Sequence, residues 1–163
     1  MNKNVDYLVK AGAIAAIYVV LVLVFSFTSF GPIQFRIAEA LTILPYYTSA
    51  AIPGLFVGCL IANILGGAII WDVIFGSLAT LLAAYLSYKL RKKMWLVPIP
   101  PILINTVVVG TLLKVAYGFQ DGLLVLMSGV FLGELVSVYG IGLVLLNALK
   151  PFTKLIDDKA LIQ

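Results

Sequence analysis

The sequence predicts an all-α integral membrane protein, a bundle of six transmembrane helices that forms a single domain over residues 1–163. Hydrophobic residues make up 63% of the 163 residues and charged residues only 11%, whereas a typical soluble domain has about 25% charged residues. The mean hydropathy is +1.13. Because a crossing needs about 20 apolar residues, a chain of this length accommodates about six crossings joined by short loops.

The six spans are predicted in order along the chain. They cover residues 7–29, a short segment at 31–45, residues 51–70, 71–89 and 98–117, and a last span from the turn at 118–122 to about residue 150. Under this topology nine of the eleven basic residues lie on one side of the membrane, and only Arg36 and Lys114 lie on the other. The positive-inside rule therefore predicts that both termini are cytoplasmic and that the polar outer turns surround an outward-facing site.

The second predicted span is short and carries charge. Pro32 can open a helix there and Pro45 resists continuing it. The piece between them is about 20 Å long at 1.5 Å per residue, shorter than a comfortable crossing. Arg36 and Glu39 stand three residues apart and share a helix face. An acid and a base inside an apolar helix indicate a functional site. The alternative is an ion pair that pins the helix to the bundle, which does not exclude a functional site.

Further polar residues lie at intramembrane depth on the other spans. Glu134 is about 18 Å below the outer end of span six, where a charged carboxylate costs on the order of 2.5–3.5 kcal/mol. We interpret it as a ligand contact, and the alternative is a neutral acid satisfied by Asn105 or a hydroxyl. Asn63 and Asn105 suit a heterocycle edge or serve as interhelical hydrogen bonds. Trp71 and Asp72 are either ligand contacts or an interfacial belt and helix cap.

These residues predict a site for a small, polar, ring-bearing ligand. Aromatic faces such as Phe35, Trp71 and Tyr117 can sandwich a ring, while carboxylates accept its N–H donors or pair with a cation. The predicted substrate-binding residues are Gln34, Phe35, Arg36, Glu39, Asn63, Trp71, Asp72, Asn105 and Glu134.

Several function classes are excluded by composition. The chain has no histidine and a single cysteine, Cys59, so a histidine-ligated metal site, a Ser-His-Asp triad and an internal disulfide are all excluded. No G-x-x-x-x-G-K-[ST] motif is present. We therefore expect no catalytic residue, metal or cofactor and no nucleic-acid partner. Any uphill transport must draw on an ion gradient or on a separate ATPase.

Small residues recur every four positions on spans one and three. The stripe Gly54, Gly58, Ala62, Gly66 predicts close helix packing inside the bundle. On span one, the pairs Ala11/Ala15 and Gly12/Ala16 lie near the cytoplasmic end. They predict either packing within the bundle or a docking patch for another protein.

The segment from Gln34 to Pro45, QFRIAEALTILP, resembles the segment typical of the QueT family, as do the stretches that contain Asn63…Gly66 and Asp72…Thr80. The resemblance covers essentially the whole chain. It implies a six-helix substrate-binding (S) component of an energy-coupling factor transporter in the bacterial plasma membrane, a transport subunit that is not an enzyme. Such a component works with a transmembrane coupling subunit, on which the Ala11/Ala15 pair would dock, and with two cytoplasmic ATPases. Its implied cargo is a queuosine precursor, a deazaguanine base or queuine.

The residues alone leave two other functions open. Riboflavin or thiamine fits the same polar groups, which would make the chain an S component for another vitamin. A stand-alone channel or ion-coupled transporter could use Arg36, Glu39 and Glu134 as a charge relay.

Overall fold

A computed structural model describes residues 3–26 and 36–156, in which the regular structure is helical, without strands. The longer helices are α1 (Lys3–Val24), α2 (Ala51–Leu65), α3 (Ile70–Leu90), α4 (Ile99–Val115) and α5 (Leu123–Glu134). A 3-10 helix, here called the central helix, spans Ile37–Tyr46. A π-helix (Leu135–Gly142) continues α5 and leads into α6 (Leu143–Leu149). Short turns at Met94–Leu96 and Lys150–Phe152 and a final α7 (Thr153–Ile156) complete the described chain.

The expectation of a multi-pass helical membrane protein is confirmed. Four helical stretches are long and apolar enough to cross a bilayer, namely Lys3–Val24, Ile70–Leu90, Met94–Val115 and Leu123–Phe152. The other two predicted spans correspond to shorter apolar helices, Ile37–Tyr46 and Ala51–Leu65. The count of six crossings and the cytoplasmic position of both termini stay predictions.

The helix of span three is shorter than the predicted span. The span was predicted to run to about residue 70, and α2 ends at Leu65. A turn follows in which Gly67 adopts a φ of 73°, a left-handed conformation that glycine tolerates at little cost. This turn lets α3 begin at Ile70.

The central helix lies at the middle of the bundle. It contacts α1, α2, α3, the π-helix and α6, and the residues from Ala38 to Pro45 are all buried. At about 2.0 Å per residue it is about 20 Å long, and its geometry is 3-10 rather than α. The predicted opening of the helix at Pro32 lies outside the described residues. The helix ends at Tyr46, one residue after Pro45, which agrees with the predicted end near Pro45. Because Pro45 stands in the last turn, its missing N–H affects only the end of the helix.

Two close contacts place the elements around the central helix. A Cβ on Gly142 of the π-helix would lie 3.2 Å from Ile43 Cγ2, so this glycine admits the central helix. The Tyr47 hydroxyl donates to the Leu146 carbonyl oxygen at 2.8 Å. The C-terminal half of the central helix is therefore pinned to the column formed by the π-helix and α6.

α1 packs closely against the small residues of α2, as the four-residue spacing of those residues predicted. A Cβ on Gly54 would lie 2.7 Å from the Ala11 carbonyl oxygen, and a Cβ on Gly58 would lie 2.9 Å from Tyr18 Cβ. Such backbone approach compensates for the missing hydrophobic drive between helices in lipid. It also brings Tyr18 into the interior, where it is fully buried.

Candidate functional site

A set of buried polar side chains from different elements meets beside the central helix. We call it the polar cluster; its members are Tyr18, Arg36, Glu39, Asn63, Asp72, Asn105, Tyr117 and Glu134. Arg36, Glu39, Asn63, Asp72, Asn105 and Glu134 are each at most 6% exposed. Charged groups buried in a membrane protein are costly, so such a set marks a functional site.

One half of the cluster is built on Glu39 of the central helix. The Tyr18 hydroxyl of α1 donates to Glu39 Oε1 at 2.5 Å. Asn105 Nδ2 of α4 donates to Glu39 Oε2 at 3.4 Å and to Glu134 Oε1 at 3.0 Å. One amide thus bridges two carboxyl groups that come from elements almost a hundred residues apart in sequence.

The other half is built on Asp72, in the first turn of α3. Arg36, immediately before the central helix, pairs with Asp72 Oδ2 at 3.8 Å and donates to Asn63 Oδ1 at 3.3 Å. Asn63 Nδ2 donates in turn to the Asp72 carbonyl oxygen at 3.3 Å. The Tyr117 hydroxyl, from the turn after α4, donates to Asp72 Oδ2 at 2.9 Å. Burial and the Asp72 carboxylate raise the pKa of Tyr117 to about 12, so it acts as a donor at neutral pH.

Gly76 makes room for the Asp72 carboxylate. These residues are one turn apart on α3, and a Cβ on Gly76 would lie 2.5 Å from Asp72 Oδ1 and 3.5 Å from Asn63 Nδ2. Any larger side chain at this position would displace the carboxylate. The glycine is therefore part of the site although it has no polar group of its own.

Three polar atoms near the cluster are buried without a hydrogen-bond partner. They are Asp72 Oδ1, Glu134 Oε2 and Ser137 Oγ. Ser137 lies in the π-helix, three residues after Glu134. An unpaired buried polar group costs about 1–3 kcal/mol, and more when it is charged. These atoms are accordingly available to a ligand that offers hydrogen-bond donors.

The chemistry of the cluster is that of recognition. Among the described residues no group of three or more His, Cys, Asp or Glu side chains is arranged to hold a metal ion. The acceptors are carboxylates and amide oxygens, and the donors are a guanidinium, two amides and two phenols. Such a set hydrogen-bonds to a flat polar ligand with several N–H groups.

The structure brings together six of the predicted substrate-binding residues, namely Arg36, Glu39, Asn63, Asp72, Asn105 and Glu134. Trp71 is not among them. Its side chain is 55% exposed and stacks on Phe75, with 6.1 Å between ring centroids. Of the aromatic residues expected to sandwich a ring, Tyr117 contacts the cluster and Trp71 does not. Gln34 and Phe35 lie outside the described residues.

Trp71 instead borders an apolar groove between α3 and α4. The groove has a volume of about 620 Å³, and its lining includes Phe75, Val107, Thr111 and Val115. Its one hydroxyl, that of Thr111, is already bonded to the Val107 carbonyl oxygen. Its lining side chains are mostly apolar and mostly exposed on the outside of the bundle, so the groove does not suit a polar ligand.

Sequence reasoning missed Tyr18 and Ser137 as members of the site. Tyr18 lies three and seven residues after Ala15 and Ala11, so helix periodicity places all three on one buried face. A hydroxyl on that face was the available signal. Ser137 carried a weaker signal, because it stands at four-residue spacing after Gly129 and Gly133, and small residues at that spacing are typical of helix packing.

The two small-residue pairs of α1 face different ways. Ala15 is 7% exposed, and it and Ala11 line the contact with Gly54 and Gly58. Gly12 and Ala16 are exposed, and a Cβ on Gly12 would meet nothing within 4 Å. The first pair therefore packs within the bundle, and only the second is open to another protein.

Comparison with known proteins identifies relatives. A family model described as QueT transporter matches residues 8–151. A curated protein of Lactococcus lactis subsp. cremoris (strain MG1363), named Queuosine precursor transporter QueT, is 39% identical over 85 residues, which are 50% of this chain and 49% of that protein. The match thus spans about half the length of the curated relative. No solved structure matches the chain.

Proposed function

This chain belongs to the QueT transporter family, and we propose from that membership that it is the substrate-capturing membrane subunit of an ATP-driven, energy-coupling factor type importer. The proposed cargo is a queuosine precursor, a deazaguanine base or queuine, in line with the name of the curated relative. The proposed location is the bacterial plasma membrane. In this proposal the chain itself is not an enzyme, and partner ATPases hydrolyse ATP.

The polar cluster is the observation that carries this proposal. It gathers residues of α1, the central helix, α2, α3, α4 and α5 inside the bundle, in one hydrogen-bonded set around Glu39 and another around Asp72. A purely structural network is expected to satisfy all its members, because each unpaired group costs stability. Here Asp72 and Glu134 each keep one carboxylate oxygen without a partner, as expected for groups reserved for a ligand.

A deazaguanine has the complementary chemistry. Its guanine-like edge offers adjacent N–H donors, which a carboxylate accepts in parallel. Asp72 Oδ1 and Glu134 Oε2 are the acceptors left open, and Asn63 and Asn105 supply amides that both donate and accept. Arg36 holds Asp72 in place by the ion pair at 3.8 Å.

Ligand entry in this proposal requires the helices to move. Glu39 and Asn63 are each 1% exposed and Asp72 is fully buried, so these side chains are closed off from solvent. Displacement of the central helix would open the site, because this helix supplies Glu39 and contacts α1, α2, α3, the π-helix and α6.

The proposed partners are a transmembrane coupling subunit and two cytoplasmic ATPases. We place the docking face on Gly12 and Ala16, which are exposed on α1. Ala11 and Ala15 contribute indirectly, because their contact with α2 fixes the orientation of α1.

The first test is thermal stabilisation of the purified protein against deazaguanines, queuine, guanine, riboflavin, thiamine and tryptophan. A ligand that binds only the folded state raises the unfolding temperature by mass action. We expect a shift with deazaguanines or queuine and none with the others. A shift with riboflavin or thiamine alone would reject the proposed cargo, and no shift with any compound would favour the channel alternative.

The second test concerns docking. Gly12→Trp and Ala16→Trp should prevent co-purification with the coupling subunit and leave ligand stabilisation unchanged. Leu82→Trp on α3, at a side chain 51% exposed to the bilayer, is the matched control and should assemble normally. Normal assembly of both α1 variants would reject the docking face.

A further inference from the structure

The protonation of the two glutamates follows from how they share hydrogen bonds. The sequence contains two glutamates, Glu39 and Glu134, and both accept from Asn105 Nδ2. Glu39 has a second donor, Tyr18, so both its oxygens act as acceptors. Glu134 accepts through Oε1 only, and its Oε2 is buried without a partner.

The surrounding charges do not favour two ionised glutamates. Arg36 is the one buried cationic side chain among the described residues, and it is paired with Asp72. Glu39 repels a negative charge on Glu134, whereas Arg36 attracts it. The charged groups that act on Glu134 are Glu39 and Arg36. The other ionisable members of the polar cluster contact these two residues or each other: Tyr18 contacts Glu39, Asp72 pairs with Arg36, and Tyr117 contacts Asp72.

Full ionisation would leave three carboxylates beside one guanidinium inside a membrane protein. Like charges that share one hydrogen-bond donor cannot both ionise readily. A buried neutral hydroxyl without a partner costs far less than a buried unpaired charge. Of the two glutamates, Glu39 has the hydrogen bonds that stabilise a carboxylate.

We propose that Glu134 carries a proton in the ligand-free protein, on Oε2, and releases it to solvent when a cationic ligand occupies the site. The ligand's positive charge then replaces the proton beside Glu39 and Glu134. The site therefore selects a ligand that bears an amine over an uncharged analogue of the same ring.

The protonation half of this inference is independent of the cargo, and the ligand half rests on the proposed function. The test uses cell-free synthesis with glutamate labelled with carbon-13 at the δ carbon. Because the chain has two glutamates, the labelled protein gives two carboxyl signals by nuclear magnetic resonance. At neutral pH and without ligand, we expect one signal at the position of a carboxylic acid and one at that of a carboxylate.

Variants assign these signals. Glu134→Gln should remove the acid signal and keep the carboxylate signal. Where Glu134→Gln does not fold, Glu39→Gln leaves the Glu134 signal alone, and its acid form should ionise at lower pH than in the wild type. Two carboxylate signals in the ligand-free wild type, or an acid signal that persists in Glu134→Gln, would overturn the proposal.

The ligand arm uses a deazaguanine with an aminomethyl group and one without it, with thermal stabilisation recorded on the same samples. The aminomethyl compound should convert the acid signal to a carboxylate signal, and isothermal titration in buffers of different ionisation enthalpy should detect one released proton per ligand. Stabilisation without any change in the acid signal refutes proton exchange while the proposed function stands. If neither compound stabilises the protein, the proposed function fails, and the ligand-free spectrum still decides whether Glu134 is protonated.

Discussion

Replacement of Tyr18 by phenylalanine tests whether the polar cluster holds the bundle together. The hydroxyl donates to Glu39 Oε1 at 2.5 Å, and Glu39 is 1% exposed, so water cannot take the place of the lost donor. The remaining donor to this carboxyl, Asn105 Nδ2, stands at 3.4 Å. A hydrogen bond to a charged group contributes about 1.5–3 kcal/mol. Because the ring itself is retained, no cavity term is added.

We expect Tyr18→Phe to lower the free energy of unfolding by about 1.5–3 kcal/mol, measured by reversible denaturation in mixed micelles. Tyr85→Phe is the matched control, because Tyr85 is 46% exposed on α3. Surface substitutions of this kind change stability by about 0.5 kcal/mol or less. Equal stability of the two variants would show that the contact between Tyr18 and Glu39 contributes nothing, and would refute the reasoning.

Three further substitutions probe other contacts. Gly76→Ala places a Cβ 2.5 Å from Asp72 Oδ1 and should weaken ligand binding about tenfold, the equivalent of one lost hydrogen bond; Gly12→Ala, with open space around its Cβ, should bind normally. Gly58→Ala should destabilise the protein by about 1–3 kcal/mol, because its Cβ would lie 2.9 Å from Tyr18 Cβ, and stability equal to that of Gly12→Ala would contradict this. The pKa of Tyr117 is raised from 10.0 to about 12, so the native state retains a proton that the unfolded state loses. Unfolding measured against Tyr117→Phe should therefore show the wild type losing relative stability as the pH rises from 10.0 to about 12, and parallel curves would contradict it.

The docking face shows where helix periodicity alone was ambiguous. The pairs Ala11/Ala15 and Gly12/Ala16 have the same spacing, and spacing does not reveal which side of α1 faces the bundle. The glycines of α2 decide it, since Gly54 and Gly58 admit the backbone of Ala11 and Ala15. A tryptophan at Ala15 would therefore damage the fold itself, whereas one at Gly12 would test docking.

The position of Trp71 illustrates the same limit. Trp71 and Asp72 are neighbours in sequence and both were candidates for the site. On a helix, consecutive side chains point about 100° apart, so the burial of Asp72 turns Trp71 outward to 55% exposure. Sequence proximity to a functional residue was thus no guide to membership of the site.

What the sequence determined by itself was the class of protein and the identity of its costly residues. Apolar composition requires a helical membrane protein, because only closed backbone hydrogen bonding is tolerated in lipid. The same environment makes Arg36, Glu39, Asp72 and Glu134 stand out, because charges there need partners.

Only the tertiary structure decided which partners those are. The bridge from Glu39 through Asn105 to Glu134, and the pairing of Arg36 with Asp72, join residues distant in sequence. They depend on a central helix that is 3-10 rather than α and on glycines whose missing Cβ lets backbones and a carboxylate approach. The local sequence pattern reveals helix periodicity and identifies the charged residues that are costly to bury. The contacts between helices arise from packing, which no local stretch of the sequence encodes.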